Sequence, residues 1–146
     1  MKLYTSYFYQ TRFFPINLIG LSTAAWPPKY LEMDKKNKNG VIIINCHPLR
    51  PGPKCEGLCS GNCLTRHPHD CSFLQTYYEQ LCQIDFHKFI TQLKHLGDSI
   101  KQKENIKSEI DFAFLVYEAP QNICSERQII QRWIKDHNID IIEWSK

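Results

Sequence analysis

Hydrophobic positions fall along this chain in two rhythms. Short β-branched and aromatic runs occupy residues 2–7 (KLYTSY), 18–23 (LIGLST), 41–45 (VIIIN), 112–117 (FAFLVY) and 139–144 (IDIIEW), each of strand length. Helical spacing takes over from Ser72. Leu74, Tyr78 and Leu81 share one face, then Phe86, Phe89, Ile90 and Leu93 recur at the same period. Asp85 is placed to cap the second of these helices and Gly97 to end it, leaving a charged stretch over 98–109 as solvated helix or loop. Near the end of the chain, Pro120 stops a strand from running on into helix, and Ala119 before it is pushed to extended backbone. Ser125 and Gln128 have capping-box spacing, which starts a helix at Glu126 with Ile129, Ile130, Trp133 and Ile134 on one face. Asn138 suits the left-handed turn that ends it.

Polar and proline-rich segments divide these runs. WPPKY at 26–30 must be irregular, DKKNKNG at 34–40 is a polar loop, and 46–71 holds most of the cysteines and turn formers. The order strand, strand, strand, helix, strand, helix, strand predicts one α/β domain over residues 1–146. Its small, mostly parallel sheet is flanked by helices in a Rossmann-like three-layer arrangement, with the Cys-rich loop 46–71 inserted before the first long helix.

In such folds ligands sit where a strand's carboxyl end meets a helix's amino end. The strand, turn and helix over 111–134 bring Glu118, Cys124 and Ser125 to that position, and these are the candidate catalytic residues. Glu118 suits a general base or a ribose-binding carboxylate, and at a strand's buried end it requires a partner. Cys124 beside a positive helix end would ionise more readily than a free thiol. Ser125 with the amides after it suits a phosphate. Ser6, Tyr7, Ser22 and Arg127 are candidate ligand-binding residues on the same edge, Arg127 as a bidentate contact. The plain alternatives are a simple cap for Ser125, core packing for Cys124, and a pairing of Arg127 with Glu126 or Glu143. Trp26, Tyr30, Tyr77 and Tyr78 would either stack on a base or pack the core.

Net charge is mild, at +3. It does not by itself hold a nucleic acid, and the lysine clusters at 35–38 and 101–107 read as solvated loops. Gln10, Arg12 and Asn17 interrupt the apolar amino-terminal run, so neither a secretory signal nor a membrane span is expected, and the chain reads as cytoplasmic. Cysteines of a reducing compartment more often bind metal or react than pair. Of the seven, Cys55, Cys59, Cys63 and Cys71 are spaced C-x3-C-x3-C-x7-C, and glycines among them oppose a helix. A folded-back loop would gather four thiolates around a structural Zn2+, favoured over an iron-sulfur cluster. His67 and His69 are alternative ligands, and Cys46 and Cys82 read as small buried residues.

YTSYF at 4–8, PPKY at 27–30, CSF before TYYEQL, and LVYEAPQNICSERQIIQRW at the end together resemble the domain of unknown function 488 family, closest to its phage and bacterial branch with a YTSY start. The resemblance spans nearly the whole chain. It implies a compact α/β fold and an association with phage and mobile elements (in a phage, the host cytoplasm). Many members carry Cys-His-Arg where this chain has Cys124-Ser125-Glu126-Arg127, so no imidazole stands there.

These readings favour an enzyme that processes a nucleotide, nucleoside or nucleic acid, with a structural metal site. A non-catalytic module that binds or sequesters a nucleotide in the same crevice is the alternative. A zinc-dependent nucleic-acid binder comes third, because several phosphate contacts need clustered Lys and Arg.

Overall fold

Strands β1 (Leu3–Tyr7), β2 (Leu18–Ser22), β3 (Ile43–Asn45), β4 (Asp111–Val116) and β5 (Ile141–Glu143) form one all-parallel sheet in the order β3-β2-β4-β1-β5. The computed structural model describes residues 1–59 and 71–146. Among the described residues three α-helices accompany the sheet: α1 (Ser72–Cys82), α2 (Phe86–Lys103) and α3 (Arg127–Lys135).

Period-two alternation divides the strand residues between two cores. Leu3, Ile19, Leu21, Phe112, Phe114 and Val116 face the three helices, which contribute Tyr77, Leu81, Phe89, Leu93, Ile130 and Trp133. Leu18, Ile43, Ala113 and Leu115 face the other way, onto Phe8, Phe14, Leu31, Met33 and Trp144. A 3-10 helix (Phe8–Phe13) and the loop after β2 supply that cover. The result is a three-layer α/β fold of the Rossmann-like kind, with all three α-helices in one layer. Both sheet faces are buried, as continuous apolar strands such as Phe112–Val116 require. Gly20 permits the close packing of the thinner layer, since a Cβ there would meet Leu115 Cδ1 at 2.8 Å. Among the described residues no helix is long and apolar enough to cross a membrane.

Several boundaries differ from those expected. Helix α2 does not end at Gly97 but runs to Lys103, because Ile100 continues its buried face and Gly97 lies buried in helical backbone against Ile110 and Phe112. The deep residue of α1 is Tyr77, whose phenol donates to the Leu49 carbonyl, and Tyr78 lies partly exposed beside Asp136. Strand β3 starts only at Ile43. Asn37 Oδ1 accepts from the Asn39 and Val41 amides, and Ile42 pairs with Lys36 in an antiparallel bridge, so a tight turn takes the residues before the strand. Asp85 does cap α2, accepting from Lys88 N at 3.1 Å, and Asn138 takes φ 61° after α3.

Candidate functional site at the carboxyl edge of the sheet

The connections leaving β1 and β2 cross the thin layer, whereas those leaving β3 and β4 cross the helical layer. Strand β4 lies between β1 and β2. Its carboxyl end is therefore flanked on both sides by chains that turn the opposite way, the arrangement that opens crevices in parallel sheets.

The crevice on the β1 side is filled by Arg127. Its Nε donates to Glu143 Oε1 at 2.5 Å and its Nη2 to the Glu118 carbonyl at 2.6 Å. Thr5 Oγ1 donates to the same Glu143 oxygen at 2.8 Å and accepts from Gln131 Nε2 at 2.7 Å. Burial pushes the Glu143 carboxyl above its ordinary pKa, opposed by the Thr5 hydroxyl and the Arg127 charge. Ser6 Oγ donates to the Trp144 carbonyl at 2.9 Å, and the Tyr7 phenol accepts from Gln10 at 3.1 Å. Arg127, Ser6 and Tyr7, candidates for ligand contact, are thus engaged with the protein itself.

Ser125 and Glu118 stand between the two crevices. Ser125 is buried, and its Oγ accepts from the Arg127 amide at 3.2 Å and donates to Glu118 Oε2 at 3.3 Å. It caps α3, as the spacing predicts, whereas Gln128 turns to the Ile123 carbonyl instead of closing the box. The helix proper begins at Arg127, one residue later than expected. Cys124 is half-buried, with its amide on Asn122 Oδ1 at 3.0 Å. Ser22 Oγ is buried at the end of β2 and has no hydrogen-bond partner among the described residues.

On the β2 side the crevice is open. A hollow of about 500 Å³ is walled by Trp26, Tyr117 and Phe73, by Cys55 and Cys59, and by Glu126. Tyr117 lies on the Leu115 side of β4, with its ring edge-on to Phe8 at 4.9 Å and its phenol donating to the Trp26 carbonyl. Gln80 ties the segment after β3 to α1, accepting from Gly52 N at 2.8 Å and donating to the Arg50 carbonyl at 2.7 Å. Burial raises the pKa of Glu126, the nearby Glu118 charge raises it further, and its own amide and Arg127 oppose both. Cys55 is also pushed up, by burial first and by the Glu126 charge after the opposing Gly52 amide, so it holds its proton more firmly than a free thiol.

Glu126 and Tyr117 were not among the sequence candidates. Alternation along 112–117 carries the signal for Tyr117, but an acidic residue in a first helical turn reads as a partner for the helix dipole and draws no attention. Of the four cysteines expected to hold metal, Cys55 and Cys59 border the hollow, Cys71 precedes α1, and Cys63 lies outside the described residues. Among the described residues no group of three His, Cys, Asp or Glu side chains is placed to hold a metal ion.

Neither protein-family models, nor curated proteins, nor solved structures match this chain. Its function is argued from the chemistry of the two crevices.

Proposed function

We propose that the hollow beside β2 takes the base of a nucleoside or nucleotide, and that the protein is an enzyme acting on it with Glu126 as the proton-transfer group. The observation that carries this reading is Glu126, with a carboxyl raised in pKa, bordering a cavity walled by the aromatic rings of Trp26 and Tyr117. A base ring stacks on such faces, and a carboxyl accepts hydrogen bonds from exocyclic amino groups. A carboxyl lifted toward neutral pH is also closer to the optimum for exchanging a proton. Among the described residues no Lys or Arg lines this hollow, and the amino end of α3 already carries Glu118 and Glu126. A phosphate is therefore better accommodated away from the helix end. Glu118 acts through Glu126 by keeping its pKa up, and Ser125 and Arg127 hold the turn that carries both; all three are positioning residues.

Incubation with a mixture of nucleosides and nucleotides, followed by chromatography, tests the reading. Wild-type protein consumes at least one compound, and Glu126→Gln slows that consumption by about 10²–10⁴-fold while still retaining the compound. Undiminished consumption by Glu126→Gln contradicts it, and a compound retained but recovered unchanged points to the sequestering module instead. Zinc on Cys55, Cys59, Cys63 and Cys71 is a separate proposal, in which the ion stiffens the loop. Elemental analysis of purified protein checks it, and a preparation with no bound metal contradicts it.

A further inference from the structure

We infer that the protein takes its ligand as part of a single-stranded nucleic acid, laid across the carboxyl edge with one base in the Glu126 hollow. This rests on the reading above and names the form in which the base arrives. Among the described residues four aromatic side chains are exposed, Tyr9 (51%), Trp26 (81%), Tyr30 (70%) and Tyr117 (53%), and all four follow the carboxyl ends of β1, β2 and β4.

They belong to one continuous surface. The Trp26 carbonyl receives the Tyr117 phenol, the Tyr117 ring rests on Phe8, and Phe8 and Tyr30 border a second hollow of about 670 Å³. Two of the rings carry a guanidinium, Arg12 at 4.0 Å from Tyr9 and Arg50 at 5.9 Å from Trp26. Flat rings interleaved with arginines are the platform that unpaired bases and their backbone fit; in a duplex the base faces are already stacked on one another.

The two hollows differ in charge, and that difference orients the strand. Arg12 and Lys38 line the second, whose Glu32 has its carboxylate 3.7 Å from Lys35. The first carries Glu56 and Glu126, with no Lys or Arg among its described lining residues. Phosphodiesters therefore run over the Arg12 and Lys38 side, and a base turns into the Glu126 side, where a carboxyl reads its N–H groups. A mild net charge suffices when the cations are gathered on one rim.

Fluorescence anisotropy with a dye-labelled oligothymidylate about a dozen nucleotides long, within the site sizes of such platforms, tests this directly. A mixed-sequence strand and a duplex of equal length serve as comparisons. Single strands bind more tightly than the duplex, and Trp26→Ala, a change at an exposed side chain, weakens them by about tenfold. Arg12→Ala reduces the slope of log affinity against log salt by about 0.7 and leaves consumption of a free nucleoside unchanged. Equal affinity for single strand and duplex, indifference to Trp26→Ala, or no binding at low salt overturns the inference. If nucleoside is still consumed in that case, the enzyme reading survives alone. If strands bind but nothing is consumed, the enzyme reading falls and this inference stands.

Discussion

On the β1 side of β4, the Arg127 guanidinium, the Glu143 carboxyl, the Thr5 hydroxyl and the Gln131 amide form one hydrogen-bonded network, which leaves Arg127 Nη1 and Glu143 Oε2 buried without partners among the described residues. On the β2 side, Glu126, whose carboxyl has a raised pKa, lines an open volume beside exposed aromatic residues, with no Lys or Arg among the described residues of that wall. The same edge of the same sheet thus carries a closed polar network and an open polar hollow. A residue's place at a strand end is decided by local pattern, but its availability to a ligand depends on whether another segment has already satisfied it. Here β5 reaches the β1 side and brings Glu143 to Arg127, whereas on the β2 side the flanking strand β3 brings no described residue into an ion pair with Glu126.

The largest expected effect falls on the closed side. Arg127→Met leaves the half-buried Glu143 without its cation and destabilises the fold by about 1–3 kcal/mol in denaturant unfolding. Arg127→Met with Glu143→Leu recovers most of that loss, because no unpaired charge remains. If the single variant is as stable as wild type, the closed side is not structural and the contrast fails. Ser125→Ala removes the cap of α3 and costs about 1 kcal/mol.

The smaller effects concern the open side and the helix behind the sheet. Glu126 has a raised pKa in the folded chain, so the native state holds that proton to higher pH than the unfolded state does. Stability is then lost as pH climbs from the ordinary carboxylate range through the raised value. Glu126→Gln should therefore melt above wild type at neutral pH, with the gap closing in acid. Thermal melts across that range check the sign. Gly97→Ala adds a Cβ at ordinary contact distance from Ile110 and Phe112, 3.5–3.6 Å, with no left-handed backbone to strain. In a helix interior that exchange stabilises by about 0.5–1 kcal/mol, and a lower melting temperature would show that the contact is tighter than it looks.

Much of the fold was legible in the sequence because its signals are local. The apolar runs marked β1, β2 and β4 to within a residue, and the Asp85 and Asn138 signals marked helix ends that formed as expected. Gly97 misled because a glycine that ends a helix and one buried within a helix look alike in one dimension. Tyr78 and Tyr77 both lie near the apolar stripe of α1, and only the Leu49 carbonyl decides which goes inside. At the site, the turn from Glu118 to Arg127 was recognisable, but its inward and outward charges were not. Arg127 reads either as a contact for ligand or as a partner of Glu126 or Glu143, and it pairs with Glu143, while Glu126, no site candidate in the sequence, borders the hollow. That exchange depends on β5, which follows α3 and adds to the sheet beyond β1, a placement that the turn's own residues do not encode.

The difference between the two crevices is tested most directly by carboxyl carbon NMR of the glutamates during titration with a nucleoside and with oligothymidylate. The Glu126 resonance should titrate above the ordinary carboxylate range and shift on ligand addition, while Glu143 stays where it was. A Glu126 carboxyl that titrates at the ordinary value and ignores both ligands, or a ligand response at Glu143 instead, would contradict the account.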